Sequence, residues 1–149
     1  MKKTIVYGLV AIILGYIIGN ILFTNKELIK MKYAKDKYYL LQEGVYYDES
    51  LSKNQSNINS KIVEKDGKKI SIYVGITKDL EVVERLINIY EEKGIKLSIV
   101  ERNYSSEELK NNIEQFDFLI LAAKDKDEIL KIEEVVLASY DEIINGNRL

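Results

Sequence analysis

The chain has no histidine and no cysteine. Any chemistry it performs therefore falls to carboxylates, lysines, arginines, hydroxyls and amides. The commonest general base near neutral pH and every thiolate nucleophile are excluded. Paired acids come next. Glu91 and Glu92, like Glu133 and Glu134, are neighbours on predicted helices. Adjacent helical residues point apart, whereas the two acids of a glycosidase converge, so these read as solvated faces. Asp125, Asp127 and Glu128 have a hint of calcium-loop spacing without its glycine or its remaining ligands. Helix capping explains them better. Gly8, Gly15 and Gly19 lie in an apolar run, so there is no phosphate loop. No metal site, cofactor or catalytic centre is expected, and the chain reads as a binding protein rather than an enzyme.

What remains is hydrogen bonding by hydroxyls and amides. Gln42, Tyr46, Ser71, Tyr73 and Ser98 fall on predicted strands, at positions alternating with apolar residues. Ile70, Ile72, Val74 and Ile76 point one way along a strand. Ser71, Tyr73 and Gly75 then point the other way. If the apolar rows face helices, the opposite face carries Tyr38, Leu40, Gln42, Gly44, Tyr46, Ser71, Tyr73, Gly75, Lys96 and Ser98. Glu43 lies between Leu41 and Val45, so it needs a partner or a bulge that turns it outward.

The elements that position these residues follow from periodicity and punctuation. Tyr38–Tyr47 is an aromatic and apolar strand. Asp48–Asn59 is polar, with a short helix capped by Asp48. Ser60–Lys65 and Lys68–Ile76 are strands joined by a tight turn at Asp66-Gly67. Thr77 or Asp79 caps a helix with Leu80, Val83, Leu86, Ile87 and Tyr90 on its apolar side. Gly94 stops it. Ile95–Val100 is a strand with Ile95, Leu97 and Ile99 facing the core. Capping boxes at Ser105–Glu108 and Asp125–Glu128 start two more helices. The first carries Leu109, Ile113, Phe116 and Ile120, and its end, FDFLILAA, could also be a strand. The second carries Ile129, Ile132, Val136, Tyr140 and Ile143. The expected class is α+β, a mixed sheet with helices on one face and a C-terminal helical pair beside it.

Thr4–Phe23 is twenty residues without a charge. At about 1.5 Å per residue it spans roughly 30 Å, the hydrocarbon thickness of a bilayer. No small-x-small cleavage site follows, so an uncleaved anchor is expected. Gly15 and Gly19 form a GxxxG pair through which two copies could dimerise. Five lysines between Lys26 and Lys37 form a juxtamembrane segment that is a solvated tether or touches anionic lipid heads. A net charge of −2 argues against nucleic acid as a partner. The flanking charges leave the orientation of the span open. The expected organisation is 1–24 anchor, 25–37 linker, 38–103 sheet domain and 104–149 helical extension.

The order strand, helix, strand, hairpin, strand, helix, strand resembles the SPOR (sporulation-related repeat) domain, a βαββαβ, ferredoxin-like module, and the resemblance implies an antiparallel sheet with helices on one face. Tyr39–Tyr46 (YLLQEGVY) looks like its first half, Ile72–Ile76 (IYVGI) followed by Thr77-Lys78-Asp79 like its second, and Gly94 like its helix-ending glycine. The resemblance covers residues 38–101. It implies a single-pass protein of the cell membrane with its C-terminal domain outside the cytoplasm. It also implies binding to peptidoglycan glycan strands at sites of division, sporulation or wall remodelling. Gln42, Tyr46, Ser71, Tyr73 and Ser98 would then meet the sugars from the open face of the sheet. The alternative is an anchored module of the same machinery that binds a protein and no glycan.

Overall fold

The structure is a computed structural model that describes residues 37–50, 58 and 60–146. The expected span Thr4–Phe23, the Gly15/Gly19 pair, the lysine-rich linker and most of the helix expected at Asp48–Asn59 lie outside the described residues. Among the described residues no helix is long and apolar enough to cross a membrane. The described residues fall within one compact unit, Ala34–Leu149.

The fold is α+β. Strands β1 (Lys37–Tyr46), β2 (Ile62–Asp66) and β3 (Lys69–Thr77) are followed by helix α1 (Leu80–Glu92) and strand β4 (Ser98–Asn103). Helices α2 (Glu107–Ala122) and α3 (Lys126–Asn145) close the chain. The sheet has the order β2-β3-β1-β4, and each neighbouring pair is antiparallel. The sheet is therefore antiparallel, as the resemblance implies, and not the mixed sheet that periodicity alone suggests. The run FDFLILAA is helical, as the last two turns of α2.

Local chemistry accounts for most boundaries. Asp79 caps α1 by accepting the Glu81 N–H at 2.8 Å. Gly94 ends that helix in the left-handed region at φ +77°. Gly94 N–H donates to the Glu91 carbonyl and Ile95 N–H to the Tyr90 carbonyl, each at 2.9 Å, the paired bonds of a Schellman stop. Ser106 caps α2 by accepting the Leu109 N–H. Asp125 accepts the Glu128 N–H while Glu128 accepts the Lys124 N–H. The hairpin turn lies one residue later than expected: Asp66 pairs with Lys69, and Gly67 (φ +58°) and Lys68 form the loop.

Two apolar faces are rotated from their expected positions. On α1 the buried residues are Val82, Val83, Leu86, Ile89 and Tyr90, while Leu80 is exposed. β4 begins at Ser98, and its Ile99 is 48% exposed, so the expected core row Ile95, Leu97, Ile99 is not buried. Leu41 lies opposite Ile99, but only β1 flanks this edge strand. On α3 the expected stripe of Ile129, Ile132, Val136, Tyr140 and Ile143 is buried throughout.

β2 is shorter than β3. It pairs with Lys69–Tyr73 only, so β3 from Val74 onward has no strand on that side. Helices α2 and α3 run along this bare edge. Alternate N–H groups of a strand project the same way, and here Ile76 and Lys78 need acceptors. A Glu133 Oε accepts the Ile76 N–H at 2.9 Å, and an Asp117 Oδ accepts the Lys78 N–H at 2.9 Å. Two buried carboxyl groups thus replace a strand.

Candidate functional site

Pairing brings three of the five candidate residues into one cross-strand row. Gln42 lies opposite Tyr73 on one side and Ser98 on the other, and opposed residues share a face of the sheet. Exposure falls along the row. Ser98 is exposed and Gln42 is half-buried, whereas Tyr73 retains 3% of its surface. Ser71 is 6% exposed and lies opposite Val45 and Glu64. Tyr46 lies opposite Ile70, the neighbour of Ser71, and so turns to the other face.

The expected open face is therefore not open. Tyr38, Leu40, Ser71 and Tyr73 are all buried. A Cβ added at Gly75 would stand 3.3 Å from Leu86 of α1 and 3.2 Å from a Glu133 oxygen of α3, so helices cover that position. The reason is twofold. The pairing of β1 with β3 shifts between Leu41 and Gln42 and again between Gln42 and Gly44. Each irregularity breaks the strict alternation from which the faces were read. In addition, the helical pair folds back onto the sheet. The second shift falls at Glu43, where an outward-turning bulge or a partner was required. Glu43 finds both, since the Tyr46 hydroxyl donates to its carboxylate at 2.9 Å. Burial and this acid push the Tyr46 phenol up to about 12.

At the buried end of the row lies a polar network. Arg102 of β4 donates to Glu64 of β2 at 2.8 Å, to the Tyr73 hydroxyl at 2.7 Å and to the Tyr104 hydroxyl at 3.3 Å. Its second nitrogen also lies 2.8 Å from the other Glu64 oxygen, completing a two-pronged ion pair. The Arg102 guanidinium stands 5.0 Å over the Tyr73 ring. The Tyr140 hydroxyl donates to Glu64 at 3.2 Å, so the Tyr104 hydroxyl donates to Tyr140 at 2.7 Å. The Glu64 carboxylate holds the guanidinium proton more firmly than usual. Burial raises the Tyr140 phenol above its ordinary range. β2 and β4 are the two outer strands of the sheet, so their contact through Arg102 and Glu64 requires strong twist onto this face.

A cleft of about 450 Å³ opens beside the network, between the β2–β3 hairpin and the end of α3. Glu64, Lys69, Ser71, Tyr73, Arg102 and Tyr140 are among its lining residues. Glu64, Tyr73, Arg102, Tyr104 and Tyr140 in its lining are paired with one another, so this part of the wall locks elements together.

The second polar cluster is the pair of edge carboxyls. Glu133 is 2% exposed and Asp117 1% exposed, which corrects the reading of Glu133 as part of a solvated face. Glu133 falls four residues after Ile129 and three before Val136, on the buried side of α3. Burial raises both acids to about 8, against the pull of their hydrogen bonds. Neither lines the cleft; one oxygen of each accepts a backbone N–H at the β3 edge. Among the described residues no group of three or more acids is placed to hold a metal ion.

Arg102, Glu64, Tyr104, Asp117 and Glu133 escaped the sequence reading. A signal existed for two of them. Asp117 is the lone charge in an apolar run, and the helical spacing of Glu133 matches that of the apolar stripe. Comparison with known proteins adds no identification: no family model, no curated protein and no solved structure matches the chain.

Proposed function

We propose that the chain is a membrane-anchored, non-catalytic binding module whose partner is a protein of the division or sporulation machinery rather than bare glycan. The apolar run Thr4–Phe23 supports the anchor. The strand order β2-β3-β1-β4, with α1 joining β3 to β4, suits a SPOR-like, ferredoxin-like module. One observation carries the choice of partner. Ser71 and Tyr73, which would meet sugars on an open sheet, are buried, and Arg102 already occupies the Tyr73 hydroxyl.

Glycan binding is kept as a second reading because Gln42 and Ser98 stand in register at the wetter end of the same row. Sedimentation of the full chain in detergent with peptidoglycan strands freed of stem peptides separates the two. The expected result is that the protein stays in the supernatant where a known glycan binder pellets. Pelleting that Gln42→Ala and Ser98→Ala both weaken would overturn the protein-partner reading. A reporter fused after Leu149 and active only in the cytoplasm would overturn the placement outside the membrane that this reading assumes.

A further inference from the structure

The bare edge of β3 is closed by groups that can change charge. Glu133 offers one oxygen to the Ile76 N–H, while its other oxygen is buried without a hydrogen-bond partner. That is the pattern of a neutral acid, whose carbonyl oxygen accepts and whose hydroxyl is idle. An ionised carboxylate there would be buried with a single donor. One Asp117 oxygen accepts the Lys78 N–H; the other lies 2.5 Å from the Thr77 hydroxyl and donates its proton there when the acid is neutral, while Thr77 gives its own proton to the Asp79 carbonyl.

The charged and titratable neighbours favour the neutral forms. Asp79 and Glu114 face Asp117, and Asp117 in turn faces Glu133. Tyr90 of α1 lies near Glu133. The Lys78 ammonium is turned to Glu114 at 3.3 Å and to the Tyr38 ring. Arg85 is engaged by Glu81 and by the Ile120 carbonyl. Among the described residues no lysine or arginine forms an ion pair with Asp117 or Glu133.

We propose that the α2–α3 hairpin is a proton-dependent latch, held on the β3 edge by neutral Asp117 and Glu133 and opened locally when they ionise. This goes beyond the binding role, since it concerns how the covering helices are held rather than what they meet. The sign follows from linkage. Both carboxyls titrate higher when closed, at about 8, than they would in an open, wet state. The open fraction therefore rises with pH between the ordinary carboxyl range and about 8, and levels off above it. Each ionising group raises the opening equilibrium about tenfold per pH unit in that window.

Amide-resolved hydrogen exchange on the full chain in detergent, from pH 5 to 9, tests this. Exchange from any briefly opened amide rises about tenfold per pH unit through hydroxide catalysis alone. The Ile76 and Lys78 amides are expected to rise about 100-fold or more per unit up to about pH 8, because opening adds its own factor. Amides of the β1–β3 ladder, which exchange only by global unfolding, should exchange far more slowly than these two at every pH. Glu133→Gln, which cannot ionise, should lower the slope at Ile76, and Asp117→Asn provides the same readout if that variant does not fold. A tenfold slope at both edge amides of the wild-type chain overturns the latch. So does exchange of the two edge amides as slow as that of the β1–β3 ladder, which would mean that they open only by global unfolding.

Discussion

Glu133 holds a fully buried carboxyl against a backbone N–H, and this fixes how its pH response must run. Its pKa is raised on folding to about 8, so its contribution is fully present below the unfolded value of 4.5. That contribution is lost as pH rises through the folded value. Asp117 acts in the same direction from 3.8. Urea unfolding at pH 5, 7 and 9 should show wild-type stability declining with pH, and a shallower decline in Glu133→Gln. A steeper or unchanged decline in the variant would contradict the assignment. Gly75 provides a steric test. An added Cβ there meets Leu41 at 3.1 Å, Glu133 at 3.2 Å and Leu86 at 3.3 Å. Gly75→Ala should cost about 1–3 kcal/mol in chemical denaturation, the range for overpacking a filled site. At this scale the sequence was a partial guide. Gly94 and the three caps are local events and were legible from local residues. The burial of Asp117 and Glu133 left only faint local traces, an acid alone in an apolar run and an acid on the apolar spacing, because its cause is how far β2 runs.

Elements meet through Arg102. Its side chain joins β4 to β2 through Glu64, to β3 through Tyr73, and to the chain preceding α2 through Tyr104, while Tyr140 of α3 closes the circuit. Arg102→Ala should destabilise by about 2–3 kcal/mol, since it leaves the half-buried Glu64 without its charged donor. Tyr140→Phe should cost about 0.5–1.5 kcal/mol for its hydroxyl bonds. A double-mutant cycle should show coupling of at least about 0.5 kcal/mol, because both residues share Glu64. Additive costs would show that the network is only a set of separate contacts. The order and type of the elements were readable from the sequence, because period 3.6, period 2 and capping are local signals. The faces were not. One shift at Leu41/Gln42 and another at Gln42/Gly44 invert parity in the strand from which the candidate row was drawn. Only Glu43, an acid between Leu41 and Val45, announced the second.

At the scale of the molecule, the helical pair is part of the sheet's architecture rather than an appendage. Its acids complete the β3 edge, its Tyr140 reaches the Arg102 network, and its packing hides the face that a sugar chain would need. The candidate residues were thus placed on the right strands, yet Ser71 and Tyr73 are inside and Tyr46 is on the other side. Long-range covering of this kind leaves no trace in strand periodicity. It also gives the loop between Asn103 and Glu107 an unexpected importance. A protease cutting there would remove what masks a hydrogen-bonding edge from the solvent and from other chains. A fragment ending at Asn103 would carry free Ile76 and Lys78 amide donors beside an apolar strand, a template for stacking copy upon copy. The full chain is expected to leave thioflavin fluorescence unchanged on prolonged incubation, whereas the fragment 37–103 should seed fibres. If that fragment stayed monomeric by light scattering, the edge would need no guard.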